Sequence, residues 1–148
     1  MTRPGYRGPI STTDIIIEYN DGTKEGIVFI ERANPPRGLA LPGGFAEEGL
    51  TLPQNARKEA WEETGLEVVL ENELRPFTYS EPQRDPRGHM ISHMYYGRGS
   101  GTLQAGDDAK KAMLLSIEEA KQLRGKGILV FDHEKILEDY LRHRGYIA

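Results

Sequence analysis

The 148-residue sequence contains no cysteine. Disulfides, thiolate catalysis and cysteine-ligated zinc are thereby excluded together, leaving carboxylates, imidazoles and hydroxyls as its side-chain chemistry. No apolar run approaches the roughly 18 residues that a membrane-spanning helix needs. Charge of one sign is not concentrated either. The sequence has 19 Lys and Arg against 23 Asp and Glu, a net charge of −4, and no basic block of the kind nonspecific nucleic-acid binding requires. Met1-Thr2-Arg3-Pro4-Gly5 has no apolar stretch behind its basic residue, unlike a secretory signal, so a cytoplasmic location is expected, with no nucleic-acid and no membrane partner. A charged fraction of 28% and an apolar fraction of 37% exclude long disorder on composition. The length predicts one domain over residues 1–148, enough to bury about two thirds of its unfolded surface in a single core.

Glycine and proline, by contrast, are plentiful at 17 and 9 residues, and they cluster between periodic segments, so loops carry weight here. Thr12 to Tyr19 is rich in β-branched residues, Asn20-Asp21-Gly22 follows, and Gly26 to Ile30 is again apolar: a hairpin on an Asp-Gly turn. Pro35 and Pro36 lack the donor a ladder needs, so Ala33 to Gly38 ends the pairing and Leu39-Ala40-Leu41 leads into Pro42-Gly43-Gly44. Thr51 and Gln54 form a capping box, and Gly65 sits where a helix C-terminus wants positive φ, predicting a helix from about Leu52 to Thr64. Glu67 to Leu70 and Leu74 to Tyr79 read as one long or bent strand, and His89 to Tyr96 as another, separated by the prolines of Glu81 to Pro86. Ser116 with Glu119 caps a short helix ending near Gly125. Asp132 caps a third, whose Ile136, Leu137, Tyr140 and Leu141 form a core-facing stripe. There is no repeat and no linker. The pattern predicts an α/β sandwich with one layer of sheet between helices.

Within the first helix, Glu59, Glu62 and Glu63 project within an arc of about 100°. Like charges at that spacing repel by a few tenths of a kcal/mol per pair, so on the glutamates alone a tolerated solvated face and a cation site stand about even. Context favours the cation. Gly43-Gly44 before the helix lets the backbone come close to a ligand, and clustered carboxylates suit Mg²⁺ or Mn²⁺, leaving coordination positions to water and phosphate oxygens.

The stretch from Gly44 to Leu66 resembles the Nudix box, G-x5-E-x7-R-E-U-x-E-E-x-G-U with U a bulky aliphatic. Gly44, Glu59, Glu62, Glu63, Gly65 and Leu66 fall in register over 23 residues. The resemblance implies an α/β/α sandwich with a mixed β-sheet over the whole chain, and a hydrolase of nucleoside diphosphates linked to another moiety. It implies Glu59, Glu62 and Glu63 as the catalytic Mg²⁺ (or Mn²⁺) ligands. It also suggests a homodimer, in which Met1 to Pro9 either reaches across to the partner or is a floppy end. The sequence departs from the box in three places. Leu50 replaces its first glutamate, Lys58 its arginine, and Ala60 its aliphatic. A lysine keeps the charge but not the planar fork, and the missing acid removes its partner, so reduced or altered activity is expected.

Ser80 to His89 looks like the loop of bacterial and archaeal ADP-ribose pyrophosphatases, and Pro82 stands sixteen residues past Leu66, where a proline marks that subgroup. Residues 34–36, 106–109 and 131–134 are similar to that subgroup as well. Arg84 and Arg87 flank a proline-stiffened loop and offer paired donors to phosphate oxygens; the alternative is a surface turn with solvated charges. Arg37, Gly43, Gly44 and Pro82 complete the substrate-binding set. His89 reads as a partly buried, hydrogen-bonded strand residue rather than a catalytic one. Phe29, Phe45, Tyr79 and Tyr95 either stack on adenine or belong to the core. Subgroup members often take a general base from a late loop, but Lys111 occupies that position here, which leaves Asp107, Asp108 or a box glutamate; the two aspartates are equally turn residues. The favoured expectation is Mg²⁺-dependent hydrolysis of ADP-ribose to AMP and ribose 5-phosphate. The alternatives are another nucleotide substrate, or a domain that binds ADP-ribose without cleaving it, as in Nudix-related regulators. The residues after Phe131 suffice for one helix and not for the winged helix of such a regulator.

Overall fold

The computed structural model describes residues 8–106 and 109–148. Asp107, Asp108 and most of the segment from Met1 to Pro9 therefore lie outside the described residues. The elements in chain order are β1 (Ile10–Asn20), β2 (Glu25–Arg32), β3 (Leu39–Ala40), β4 (Gly43–Phe45), α1 (Leu52–Thr64), β5 (Leu66–Leu70), β6 (Phe77–Tyr79), β7 (Met90–Gly101), β8 (Ala109–Leu115), α2 (Ile117–Lys121) and α3 (His133–His143). The strands form one mixed sheet in the order β3-β2-β1-β7-β5, with β4 also on β1, β6 on β7 and β8 on β2. β1 and β7 run parallel from Ile10↔Met90 to Glu18↔Arg98, and every other pairing is antiparallel.

Ile15, Ile16 and Ile17 are all fully buried, because the sheet is covered on both faces and successive side chains point opposite ways. Ile16 packs with Phe29, Met94, Ile136, Leu137 and Tyr140 on the α3 side. Ile15 and Ile17 pack with Ala56, Ala60, Leu66 and Tyr95 on the α1 side. Each buried isoleucine, leucine, methionine or phenylalanine among them contributes about 1.5–3 kcal/mol of burial. The expected sandwich is the observed one, and Ala60 has a physical role in it: a small residue at a fully buried position lets α1 sit close to the sheet. Among the described residues, no helix is long and apolar enough to cross a membrane.

The hairpin forms where its turn signal lies. Asp21 Oδ1 accepts from the amides of Thr23 and Lys24 at 2.8 and 2.7 Å, and Gly22 adopts φ 96°. The bounds of α1 match the expectation, with the reciprocal Thr51–Gln54 cap at its start and Gly65 at φ 74° after its end. The long strand expected after Gly65 is two strands on one edge of β7. Leu70 pairs with Gly97 and Phe77 with Met94. Between them Asn72 substitutes for the ladder, accepting from the Tyr96 amide at 2.9 Å and donating to the Met94 carbonyl at 3.1 Å. Leu74, placed in that strand by its apolar side chain, is 94% exposed at the turn.

Three expectations need correction. β8 was not anticipated, because Ala109-Lys110-Lys111-Ala112 has no strand-like alternation; its place is fixed by pairing with β2 from Ile27↔Leu115 to Arg32↔Ala109. α2 stops at Lys121 and gives way to turns before Gly125. Asp132 occupies the N-cap position of α3 but makes no side-chain cap, because its carboxylate is taken by Arg84.

Candidate active site

A cavity of about 330 Å³ opens where β4 and α1 face the 84–87 and 131–133 loops. Its acidic wall depends on two glycines. A Cβ on Gly44 would lie 2.6–2.8 Å from the Glu59 carboxylate, and one on Gly43 would meet the Thr13 carbonyl at 2.3 Å and Asp14 Oδ1 at 2.5 Å. Only a residue without a side chain permits that approach. Asn55, fully buried on α1, fixes the helix against both strands. Its Nδ2 donates to Thr13 Oγ1 at 2.9 Å and to the Phe45 carbonyl at 3.2 Å, and its Oδ1 accepts from the Glu47 amide at 3.0 Å.

Glu63 is 6% exposed and accepts from the Gly43 amide at 3.4 Å. Burial, and then the Glu59 carboxylate beside it, push its carboxyl up to about 9. Glu59 and Glu63 line the cavity together. Glu62 does not: it accepts from Lys58 one turn back along the helix and lines a separate depression with Trp61, Gly65 and Gln104. The Lys58 Nζ also lies 3.0 Å from Glu47 Oε2. Glu47 thus gives Lys58 a carboxylate partner that Leu50 does not.

Asp14, buried on β1, also lines the cavity. Ser92 Oγ donates to its Oδ2 at 2.5 Å, and His133 Nε2 stands 3.5 Å from its Oδ1. His133 Nδ1 accepts from the Leu41 amide at 3.0 Å, which puts the ring hydrogen on Nε2, toward Asp14. Burial alone would raise the Asp14 carboxyl, but His133, Ser92 and Arg84 outweigh it and hold the group below the usual carboxylate range.

Among the described residues, no three His, Asp or Glu side chains converge into a closed metal cage. Mg²⁺ does not require one, since it keeps several waters and is commonly held by one or two carboxylates together with substrate phosphates. Two adjacent hard oxygen donors, one of them buried, fit such a cation.

The opposite wall is basic, and its arginines are paired. Arg84, with a side chain only 3% exposed, donates from Nε and Nη2 to the two oxygens of Asp132 at 2.8 and 2.5 Å. Arg87 donates to Asp85 at 3.1 and 2.8 Å, while its guanidinium lies 4.9 Å from the Phe45 ring centre and 4.8 Å from that of Phe131. Arg32 lies 5.2 Å from the Phe131 ring and donates from Nε to the Pro36 carbonyl at 2.8 Å. Phe131 adopts φ 57°, a conformation that costs a non-glycine residue about 1–3 kcal/mol.

Of the residues singled out from the sequence, Gly43, Gly44, Glu59, Glu63, Arg84 and Arg87 line this cavity. Glu62, Arg37 and Pro82 are not among its lining residues; Arg37 is exposed and donates to the Ala33 carbonyl at 3.3 Å, and Pro82 is an exposed loop residue. Phe29, Tyr79 and Tyr95 belong to the core, and Phe45 alone of the four aromatics faces the cavity. His89 is exposed just before β7, with Nε2 3.0 Å from the Ser80 carbonyl, so it is not the partly buried strand residue expected. Lys111 is exposed on β8 and does not line the cavity. Asp14, Arg32, Asn55, Asp85, Phe131, Asp132 and His133 were not identified as site residues. An acid inside the β-branched run from Thr12 to Tyr19 was the sequence signal available for Asp14.

Comparisons with known proteins show the family. The family model of the NUDIX domain matches residues 9–140. An ADP-ribose pyrophosphatase of Methanocaldococcus jannaschii is 41% identical over 140 residues, covering 93% of this chain and 76% of that protein. Among solved structures, a MutT/nudix family protein from Enterococcus faecalis superimposes with a TM-score of 0.75 at 28% identity; the match covers 93% of this chain and 62% of that one. A bifunctional NMN adenylyltransferase/ADP ribose pyrophosphatase from Francisella tularensis, complexed with AMP and Mn ion, has a TM-score of 0.78 at 25% identity, over 94% of this chain and 43% of that one. With a family match over most of its length and a glycine-framed pair of glutamates at the expected helix, the chain belongs to the NUDIX domain family.

Proposed function

We propose that the protein is a Mg²⁺-dependent pyrophosphohydrolase that cleaves ADP-ribose to AMP and ribose 5-phosphate. The observation that carries the reading is the pairing, across one cavity, of the Glu59 and Glu63 carboxylates with the Arg84 to Arg87 loop. The 41% identity to a protein named ADP-ribose pyrophosphatase supports the choice of substrate.

Glu59 and Glu63 would hold the cation, and the Nudix resemblance adds Glu62, which reaches the site only by leaving Lys58. Bound there, Mg²⁺ supplies charge neutralisation for the diphosphate and a lowered pKa for an attacking water. Glu63 keeps a proton near neutral pH while it faces Glu59 without a cation, and it becomes a carboxylate donor when one arrives. The Gly43 amide orients it. Arg87, at the cavity rim, has N–H groups beyond those used by Asp85 to offer to diphosphate oxygens. Arg84 acts as a positioning residue: by clamping Asp132 it holds the 131–133 loop against the site. Pro82 stiffens the approach to that arginine loop, and Arg37 lies too far along the Pro35-Pro36 loop to line the cavity as it stands. Within this proposal the protein works in the cytoplasm as a homodimer, without nucleic-acid partners.

The test is AMP release from ADP-ribose by purified protein with Mg²⁺, followed by chromatography, with AMP and ribose 5-phosphate expected in equal amounts and none in the presence of EDTA. Cleavage of a different nucleotide with none of ADP-ribose would overturn the substrate and keep the class. Tight ADP-ribose binding without metal-dependent turnover would favour a sensor.

A further inference from the structure

Phe131 is the one non-glycine residue with positive φ among the described residues. A bulky aromatic tolerates that region poorly, and such strain persists where the surroundings over-determine it, commonly at ligand sites. Here the surroundings are visible. The Val130 amide donates to the Leu39 carbonyl at 2.9 Å, Asp132 is clamped by Arg84, and His133 accepts from the Leu41 amide. Held on both sides, the strained backbone delivers the Phe131 ring to the cavity wall that also carries Phe45, itself 48% exposed.

The Arg87 guanidinium reaches both rings, within 5 Å of each centre. A guanidinium is flat and stacks on aromatic faces, so it occupies space suited to another flat group. With Arg87 in that position the cavity, at about 330 Å³, lies at the small end of the range for sites that enclose organic ligands.

We propose that Phe131 and Phe45 form the nucleobase subsite, that Arg87 fills it in the free protein, and that an entering base displaces the guanidinium toward the diphosphate. The inference rests on the nucleotide reading of the site. Asp85, buried and hydrogen-bonded to the Arg87 backbone amide at 2.9 Å, keeps the arginine anchored during the exchange. Stacking on phenylalanine is available to any base, so this subsite binds nucleotides without choosing among bases.

Equilibrium dialysis of AMP in the absence of divalent metal tests the subsite. Phe131→Asn removes the ring but suits the left-handed backbone, and it is expected to weaken AMP binding by about tenfold; Phe131→Tyr restores the ring and should restore binding. Equal AMP affinity in wild type and Phe131→Asn overturns the subsite, as does equal loss in the asparagine and tyrosine variants. For the exchange, Arg87→Ala is expected to bind adenosine, which has no phosphate, several-fold more tightly than wild type; unchanged or weaker adenosine binding overturns it. Wild-type turnover of ADP-ribose together with an overturned subsite leaves the proposed activity standing, whereas wild type with neither AMP affinity nor turnover of any nucleotide takes both down.

Discussion

On the α1 wall of the cavity, Glu63 is buried against Glu59 and its carboxyl rises to about 9, while on the facing wall Arg84 is clamped by Asp132 and Arg87 by Asp85. Both walls bury a charged group, Glu63 on one and Arg84 on the other, and a buried ion is costly unless it is compensated. The charges of Arg84 and Arg87 are compensated by aspartates as the chain folds, with Arg87 at the rim keeping N–H groups for a ligand. The acidic wall is compensated by proton uptake, and a divalent cation can take the proton's place. Arg84, neutralised from within, supports shape, whereas the glutamate pair, neutralised from outside, is a site for a cation.

Glu63→Gln should produce the largest effect. Losing a cation ligand is expected to lower turnover of ADP-ribose roughly 10³-fold, while the metal-free protein melts no lower than wild type near neutral pH, because the neutral amide matches the protonated carboxyl it replaces. Steady-state kinetics and thermal melts in EDTA check the two halves, and a clear loss of metal-free stability would show that Glu63 is structural.

Next come the arginines, which should differ from each other. Arg84→Ala removes the buried half of an ion pair, leaves the partly buried Asp132 without its partner, and should cost about 3 kcal/mol of stability. Arg87→Ala removes a partly exposed pair and should cost less than about 1 kcal/mol, its effect falling on nucleotide binding. Urea titration of both variants decides, and similar stability losses would erase the distinction between a clamp and a rim residue.

The acidic wall also predicts a pH dependence. The folded pKa of Glu63 is raised from 4.5 to about 9, so between those values the folded state binds more protons than the unfolded one. Its contribution is full below about pH 4.5 and is lost as pH rises toward 9. The melting temperature of metal-free protein should fall by about 5 °C or more from pH 6 to pH 9, and Mg²⁺ should shrink the fall, since it binds the ionised form. In Glu63→Gln the slope should flatten; an equal slope there would assign the effect to another group.

Leu50→Glu should do least. Lys58 already has Glu47 and Glu62 beside it, and one more exposed acid adds only a few tenths of a kcal/mol. Turnover is expected to stay within about twofold of wild type; a large gain would show that Glu47 does not fill the role.

Much of the acidic wall was legible in the sequence because its determinants are local. The Thr51–Gln54 cap, the αL glycine at 65 and the three- and four-residue spacing of Glu59, Glu62 and Glu63 all lie within one helix and its ends. What spacing alone did not decide was which glutamates enter the cavity, because an arc of about 100° is wide enough for Glu62 to turn to Lys58 while Glu63 is buried. The basic wall was less legible. Arg84 and Arg87 were visible as donors, but their partners differ in kind: Asp85 is two residues from Arg87, whereas Asp132 is 48 residues from Arg84. A helix-cap pattern described Asp132 well and still missed its role, because an arginine brought in by the fold competes better for its carboxylate than the α3 amides do. β8 escaped for a similar reason, its strand state resting on pairing with β2 rather than on its own pattern.

By itself the sequence determined the hairpin, the bounds of α1, the glycine pair ahead of it and the crowding of acids along one helix, since each depends on backbone preference or on contacts within a few residues. The tertiary structure alone decided that Asp14 and His133 meet behind Gly43, that Asp132 serves Arg84, and that Phe45 and Phe131 share Arg87. Those residues lie far apart in the chain, and no local preference encodes a contact that exists only after the sheet has brought their segments to one cavity.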